Sequence, residues 1–143
     1  MSLAMSPAER EAFLAESRVG VLSVTDADDR GPLSMPVWYL YEPGGEIAFS
    51  TGTNSRKMEL IRAAGRVSLV VQTEQPPYRY VSVEGQVTGI APAEPEQRRA
   101  LAERYLGPQG ADEYLAATRD VASTMVLGRV RRARWLRRDY GRG

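Results

Sequence analysis

The sequence predicts an α+β protein, mainly β, in which short antiparallel strands close into a barrel. Six short segments rich in β-branched and apolar residues are joined mostly by turn residues, a pattern typical of consecutive hairpins. Helical patterns lie between or beside these hairpins rather than after every strand, which disfavours a doubly wound parallel sheet. The 143 residues fit one ordinary domain, so we expect residues 1–143 to share a single core.

The strands are expected where apolar segments are bounded by glycine, proline or polar turn residues. Pro36 cannot donate to a sheet ladder, which indicates an edge or a bulge at that point. Gly85 lies inside an alternating pattern and indicates a bulge or a close backbone approach. The six expected strands are 19–25, 32–41, 46–51, 66–73, 80–87 and 124–138.

Helix start and stop signals predict four helices. Ser6 can cap the first helix, Pro7 suits its first position, and Glu9 can complete a capping box. Gly52 to Ser55 breaks a strand and offers capping side chains to the second helix, and Gly107-Pro108 ends the third. The helices are expected over about 6–16, 55–64, 94–106 and 111–118.

The composition excludes several kinds of chemistry. The chain contains no histidine and no cysteine. A Ser-His-Asp or Cys-His catalytic arrangement, the commonest zinc sites and an iron–sulfur ligand set are therefore impossible, and we expect no metal site. If the protein is an enzyme, a cofactor or the substrate is expected to carry the reactive atoms.

The only lysine, Lys57, follows Arg56 at the point where a strand ends and a helix begins, although the chain has eighteen arginines. A helix N-terminus presents unpaired N–H groups, and Thr51, Thr53 and Ser55 can add hydroxyl donors. Two cations there oppose the helix dipole, a cost expected where a phosphate binds. From spacing alone, two solvated surface cations are the favoured interpretation, because short basic pairs are common.

The segment FSTGTNSRKMELIRAAGRVSLVV (49–71) resembles the cofactor-binding segment of the pyridoxamine 5'-phosphate oxidase-like, FMN-binding split-barrel superfamily. The resemblance continues upstream through PVWY (36–39) and downstream through YVSVEGQV (80–87), covering roughly residues 13 to 91. Each motif alone is weak, but their order and spacing together are fairly specific. The implied fold is a six-stranded antiparallel split β-barrel with short peripheral helices.

The resemblance implies a cofactor site at the interface of a homodimer. It implies that Arg56 and Lys57 hold the cofactor phosphate, with Thr51 and Ser55 nearby. The implied cofactor-binding residues are Val37, Trp38, Ser50, Thr51, Ser55, Arg56, Lys57 and Tyr80. Val37 and Trp38 would lie along the ring, and Tyr80 would approach it, in one arrangement from the partner subunit. From the residues alone, Trp38 can equally be a core aromatic, Tyr80 need have no role in the site, and no catalytic residue is assigned.

The sequence departs from true pyridoxamine-phosphate oxidases in one respect. The resemblance implies that those enzymes hold their substrate with an arginine and a histidine near the C-terminus. Because this chain has no histidine, vitamin B6 chemistry is disfavoured. The short chain looks closer to small relatives that use FMN or the deazaflavin coenzyme F-420. Both cofactors carry a phosphate, so phosphate recognition does not separate them.

Arginine provides six of the ten residues from Arg129 to Arg138, although the net charge is only +1. Alternation would place Arg129, Arg131 and Trp135 on one face of the strand, and Arg132, Arg134 and Leu136 on the other. Three interpretations compete: arginine stems that cover apolar surface and pair with acids, a site edge for an acidic cofactor tail or substrate, and a nucleic-acid contact.

We therefore expect a flavin-type oxidoreductase that transfers a hydride to or from a small organic substrate. A non-catalytic flavin-binding or storage protein is the alternative, and a basic-strand nucleic-acid-binding module is a further one. No apolar run approaches the roughly 20 residues of a membrane span, and no basic segment followed by an apolar one begins the chain. On this basis a cytoplasmic protein without a membrane partner is expected.

Overall fold

A computed structural model describes residues 4–139, without the side chains of Ala133 and residues 135–139. The helices are α1 (Pro7–Ala15), α2 (Arg56–Ala64) and α3 (Pro95–Ala117), and a 3-10 helix spans Arg119–Thr124. The strands are β1 (Gly20–Val24), β2 (Leu33–Val37), β3 (Tyr39–Leu40), β4 (Ile47–Gly52), β5 (Arg66–Gln72), β6 (Arg79–Pro92) and β7 (Met125–Asp139).

All strands belong to one antiparallel sheet with the order β2-β1-β5-β6-β7-β4-β3. The expected single strand over 32–41 is two strands, so the described sheet has seven strands rather than six. The break falls at Trp38 because β2 pairs with β1 whereas β3 pairs with β4. The two edge strands of the sheet, β2 and β3, are thus joined through the single residue Trp38, and the sheet curls into a split barrel.

Both positional predictions inside the strands are confirmed. Pro36 lies in β2, an edge strand of the sheet, where its missing N–H leaves no central ladder bond unmade. The β6–β7 register shifts at Gly85, because Ala133 is an extra residue between the pairs Gly85–Arg132 and Glu84–Arg134. A Cβ on Gly85 would lie 2.1 Å from the Arg131 carbonyl oxygen, so only glycine fits there without movement.

The strand β6 is longer than the sequence predicts, because it continues past Val87 to Pro92. Gly89 and Pro92 are usually strand-breaking residues, and the pattern therefore indicated an earlier end. A second register shift, between Val87 and Gly89, absorbs Thr88 and lets pairing with β7 continue. Pairing with the long strand β7 therefore extends β6 past the glycine and proline that would usually end a strand.

The core lies inside the curled sheet and beneath α1 and α2, while a smaller cluster packs under α3. In β5, the alternate residues Val67, Leu69 and Val71 are all buried and face the core. The largest fully buried side chains include Tyr39, Phe13, Phe49, Leu14 and Leu22. None of the described helices is both long and apolar enough to cross a lipid bilayer.

The helix predictions are mostly confirmed. Ser6 and Glu9 form the expected capping box of α1. Gly107, with φ of +77°, and Pro108 interrupt α3 where the third helix was expected to end, but the next helical turn begins directly there and not at residue 111. Pro108 suits such a start because it needs no N–H bond at a first helical position.

Three side chains, which we call the Arg104 corner (Tyr39, Arg104 and Tyr105), fix α3 to the end of α1. Arg104 donates to the carbonyl oxygens of Ala15 at 2.9 Å, Glu16 at 2.8 Å and Leu14 at 3.3 Å. These are orphan carbonyls of the last turn, and a cation there also complements the helix dipole. The Tyr39 hydroxyl donates to the Leu14 oxygen at 2.7 Å, and burial raises the pKa of Tyr39.

Candidate functional site

The junction between β4 and α2, residues 51–57, is the α2 junction. Its turn is fixed by the Thr53 N–H, which donates to the Thr124 carbonyl oxygen at 2.8 Å. The Ser55 hydroxyl accepts from the Met58 N–H at 3.3 Å and caps α2, as predicted. Gly65, with φ of +67°, ends the helix in the left-handed conformation that glycine adopts at low cost.

Backbone donors remain free at the start of α2. Ser55 satisfies the N–H of Met58 with its hydroxyl and the N–H of Glu59 with its carbonyl oxygen. The N–H groups of Arg56 and Lys57 have no acceptor within the described part of the chain. Together with the positive end of the helix dipole, two such donors form a local environment that favours an anion.

The two cations of the α2 junction differ in their surroundings. Lys57 is partly buried, and among the described backbone and side-chain atoms no carboxylate or hydrogen-bond acceptor contacts its ammonium group. Arg56 is 55% exposed at its side chain, and its Nη2 lies 2.5 Å from Asp26 Oδ1. The sequence treats these neighbours alike, whereas the structure gives only the arginine a counterion.

Asp26, in the loop between β1 and β2, is that counterion. Its side chain is only 4% exposed; it accepts from the Ala27 N–H at 2.7 Å and lies 3.8 Å from Arg30 Nε. The bond from Ala27, together with Arg56 and Arg30, lowers the pKa of Asp26 against the opposing effect of burial. The sequence prediction placed Asp26 only in a turn and missed its contact with Arg56.

Two predicted site residues, Ser50 and Thr51, lie on opposite faces of β4, as consecutive strand residues must. Thr51 shares the barrel-core side with Phe49 and is 4% exposed. Its Oγ1 is buried without a hydrogen-bond partner in the part of the chain that the structure describes, although buried hydroxyls almost always have one. The structure thus leaves a buried polar donor unsatisfied beside the start of α2.

Val37 and Trp38 divide between the same two faces. Val37 packs in the main core, and Trp38 packs in the cluster beneath α3. The Trp38 ring stacks on Tyr105 at 4.9 Å between centroids and meets Tyr114 at 5.2 Å. The Trp38 carbonyl oxygen accepts from the Ser50 N–H at 2.9 Å, which joins the 36–39 motif to β4. A packing role for Trp38, one of the two sequence interpretations, therefore has direct contacts.

Tyr80 is not brought to the α2 junction within one chain. It pairs with Gln72 and Arg138 at the N-terminal end of β6. Gly52, in the junction, pairs with Met125, which lies thirteen residues before Arg138 on β7, and each strand residue spans roughly 3.3 Å. Its predicted approach to the cofactor therefore depends on a second subunit and remains a prediction.

A cleft of about 420 Å³ opens beside the α2 junction and is lined by Thr53, Asn54, Ser55, Arg56, Met58, Glu59 and Arg62. A larger groove of about 980 Å³ lies elsewhere, between β1, β5 and the loop that follows β5. We place the candidate site at the smaller cleft, because the start of α2, the side chains of Thr53 and Ser55 and the Arg56 guanidinium line it, although Lys57 is not among its lining residues. Size alone does not outweigh that convergence of polar groups.

The arginines of β7 divide into one anchored and several exposed side chains. Arg132 lies 3.0 Å from Glu11 and donates to the Tyr41 hydroxyl at 3.1 Å, as expected for an arginine paired with acids. Arg129, Arg131 and Arg134 are exposed. The extra residue Ala133 interrupts the alternation on which the two predicted faces rested. The side chains of Trp135 and Leu136 lie outside the described ones.

No group of three or more His, Cys, Asp or Glu side chains able to hold a metal ion occurs among the described residues. The donors of the α2 junction are instead N–H, ammonium, guanidinium and hydroxyl groups. Such groups bind phosphate and other oxyanions. This donor set therefore fits the phosphate end of a nucleotide-like cofactor.

The curled seven-stranded sheet with a helix N-terminus at its edge defines a split-barrel protein. The sequence profile of the pyridoxamine 5'-phosphate oxidase family matches residues 6–132. The chain belongs to this family. No curated protein sequence matches it significantly. At a coarse level, family membership supports a flavin-related oxidoreductase, with the substrate unspecified.

Solved structures share the fold. The conserved hypothetical protein Rv2991 from Mycobacterium tuberculosis is 28% identical, with a TM-score of 0.73 over 96% of this chain and 87% of that one. An F420 reductase is 21% identical, with a TM-score of 0.64 over 88% and 94%. A FAD-binding protein from Mesorhizobium loti is 22% identical, with a TM-score of 0.65 over 95% and 96%. The last two likenesses concern the fold alone.

Proposed function

We propose that this protein binds FMN or the deazaflavin coenzyme F-420 and transfers a hydride between that cofactor and a small organic substrate. The single observation that carries the proposal is the partly buried Lys57 without a counterion, beside two free N–H groups at the start of α2. A cation in that place adds to the positive end of the helix dipole and is unfavourable until an anion binds. Family membership gives the class of anion.

The residues of the α2 junction would bind the phosphate. Lys57 supplies a point charge, the N–H groups of Arg56 and Lys57 supply directed donors, and the exposed side of the Arg56 guanidinium supplies more. The Thr51 hydroxyl is buried without a partner among the described residues, and we propose it as a further donor to the ligand. The cofactor supplies the hydride chemistry when bound, and the protein supplies binding and orientation.

The ring of the cofactor would lie along the 36–39 motif, with Tyr80 contributed by the partner subunit of a homodimer. A second subunit accounts for the distance between Tyr80 and α2 in one chain. The homodimer and the role of Tyr80 are both proposals. A mass measurement in solution, by light scattering, tests the first directly.

Two considerations bear on the choice of cofactor. One structural neighbour is an F420 reductase and another is a FAD-binding protein, so proteins of this fold carry flavin-type cofactors of more than one kind. The deazaflavin also has an acidic oligoglutamate tail, which the exposed Arg129, Arg131 and Arg134 are suited to attract. Pyridoxamine-phosphate oxidation itself is disfavoured by the absence of histidine.

The first experiment is a titration of the purified protein with FMN and, separately, with F-420, together with mass spectrometry of any ligand that copurifies. Saturable binding of either supports the proposal and fixes the cofactor. Binding without reduction by NAD(P)H or a deazaflavin donor would instead indicate a flavin-binding or storage protein. Failure to bind either, with steeply salt-dependent binding to DNA or RNA, would indicate the nucleic-acid alternative.

The second experiment removes the cations one at a time. We expect Lys57→Ala to weaken FMN binding about 30-fold and Arg56→Ala about tenfold. Each substitution removes a charge-assisted hydrogen bond to the phosphate, and such a bond is worth about 1.5–3 kcal/mol. Both variants should keep the unfolding midpoint of the native protein within a few degrees. Arg119→Ala is the matched control, because it removes one positive charge from an exposed position in the 3-10 helix. Full cofactor retention by both variants would contradict the assignment.

A further inference from the structure

A buried carboxylate supports one cation of the α2 junction from outside the motif that identifies it. Asp26 lies 30 residues before Arg56 in sequence, and its side chain is 4% exposed, whereas that of Arg56 is 55% exposed. The loop holds Asp26 in place through the Ala27 N–H at 2.7 Å. A carboxylate with little exposed surface thus contacts one side of a guanidinium that is about half exposed to solvent.

This contact can orient Arg56 without disabling it. Nη2 is the guanidinium nitrogen that bonds Asp26, and a guanidinium has five N–H donors in a fixed plane, so the others stay available to a ligand. An unsupported arginine at a helix start would sample many rotamers and would be repelled by the helix dipole. The Asp26 carboxylate reduces both effects.

The charge of Asp26 does not cancel the site. Arg30 Nε lies 3.8 Å from Asp26 Oδ2, so the group of Asp26, Arg30 and Arg56 carries a net charge of about +1, from two arginines and one carboxylate. With Lys57 nearby, the net local charge facing an incoming phosphate remains positive.

We infer that Asp26 is a positioning residue that holds the Arg56 guanidinium in the orientation that binds the phosphate of the cofactor. This inference rests on the proposed function. Asp26 touches Arg56 and is not assigned a contact with the ligand itself. Its removal is therefore expected to weaken recognition of the phosphate and to leave recognition of the ring unchanged.

The test compares FMN with riboflavin, which has the same ring and lacks the phosphate. We expect Asp26→Asn, which keeps the shape and removes the charge, to weaken FMN binding about fivefold and to leave riboflavin binding unchanged. Asp28→Asn is the matched control, because it makes the same substitution in the same loop at an exposed residue that contacts neither arginine. The control should bind both ligands as the native protein does.

A double-mutant cycle sharpens the result. If Asp26 acts through Arg56, adding Asp26→Asn to Arg56→Ala should weaken FMN binding no further than Arg56→Ala alone. Thermal unfolding of each variant shows whether the loop and helix remain folded. Should Asp26→Asn lose stability enough to matter, Arg56→Lys provides an independent measurement, because it keeps the charge and removes the planar contact.

The outcomes separate this inference from the proposed function. Equal loss of FMN and riboflavin affinity would show a structural role for Asp26 and overturn the inference alone, as would native FMN affinity in Asp26→Asn. Tighter FMN binding in that variant would identify Asp26 as a competitor of the phosphate and overturn it as well. If the native protein binds neither FMN nor F-420, the proposed function fails and the inference fails with it.

Discussion

The Arg104 corner and the α2 junction place similar cations at opposite ends of two helices, with opposite results. At the corner, Arg104 lies at the C-terminal end of α1 and donates to three of its carbonyl oxygens. At the junction, Lys57 lies in the first turn of α2, where the dipole is unfavourable and the described residues offer no acceptor. The first cation bonds acceptors of the chain itself, although its Nε is buried without a partner among the described residues, and we propose that a bound anion satisfies the second.

This difference teaches where stability and binding are located in the molecule. The hydrogen bonds of the Arg104 corner connect α3 to α1 and β3 and stabilise the fold. The free donors of the α2 junction bond nothing among the described residues, so we expect them to contribute little to the fold and, under our proposal, to bind an anion. Substitutions at the Arg104 corner should therefore change stability and leave cofactor affinity unchanged, whereas removal of a cation at the α2 junction should change cofactor affinity with little effect on stability.

The largest effect is expected at the corner. Arg104→Ala should lower the free energy of unfolding by about 3 kcal/mol, because three carbonyl oxygens lose a charged donor and the helix dipole loses its cation. The midpoint of thermal unfolding should fall by roughly 10 °C. Cofactor affinity, measured below the unfolding transition, should not change.

Arg99→Ala is the control for that experiment. Arg99 is on the same helix, is 50% exposed, and pairs with Asp112 at 2.9 Å and Glu103 at 3.6 Å. Exposed ion pairs of this kind are worth about 0–1 kcal/mol. If Arg99→Ala were as destabilising as Arg104→Ala, any loss of positive charge from α3 would destabilise the protein. The contrast between the Arg104 corner and the α2 junction would then not follow from the carbonyl contacts of Arg104.

The sequence predicts most of the fold because most of its signals are local. Turn residues, alternation and caps locate nearly every element, and the 49–71 motif locates the α2 junction. The seventh strand could not be predicted, because the break at Trp38 depends on the curling of the whole sheet. The Arg104 contact with Ala15 spans 89 residues and the Arg56 contact with Asp26 spans 30. No local periodicity encodes such contacts.

Thr51→Val is expected to change stability and affinity in opposite directions. Its hydroxyl is buried without a partner, and an unsatisfied buried polar group costs about 1–3 kcal/mol. Replacement by an apolar side chain of similar shape should leave the cofactor-free protein as stable or stabilise it by up to about 1 kcal/mol. FMN affinity should fall about fivefold, because the ligand loses a hydroxyl donor. Urea unfolding and an FMN titration provide the two measurements.

Thr51→Ser separates the hydroxyl from the shape of the side chain in that experiment. It keeps the donor and removes one methyl group, so it should bind FMN nearly as the native protein does. Equal FMN affinity in the native protein and in Thr51→Val would remove Thr51 from the site. The unpaired hydroxyl would then be a cost of folding with no link to binding.

The smallest effect concerns acid unfolding and the carboxylate of Asp26, which contacts Arg56 at the α2 junction. The Ala27 N–H and the neighbouring arginines lower the pKa of Asp26 in the folded protein, so the folded state prefers the ionised form more than the unfolded state does. Its contribution to stability is therefore fully present above the unfolded pKa of about 3.9 and is lost as the pH falls through the lower folded value. In urea unfolding between pH 7 and pH 2.5, the native protein should be more stable than Asp26→Asn at neutral pH, and the difference in stability should shrink below about pH 4.

Asp28→Asn is the control for this experiment, because it removes one negative charge from the same loop. A difference that stays constant down to pH 2.5 would show that the carboxylate contributes nothing as an ion, and that Asp26 orders the loop by shape and hydrogen bonding alone.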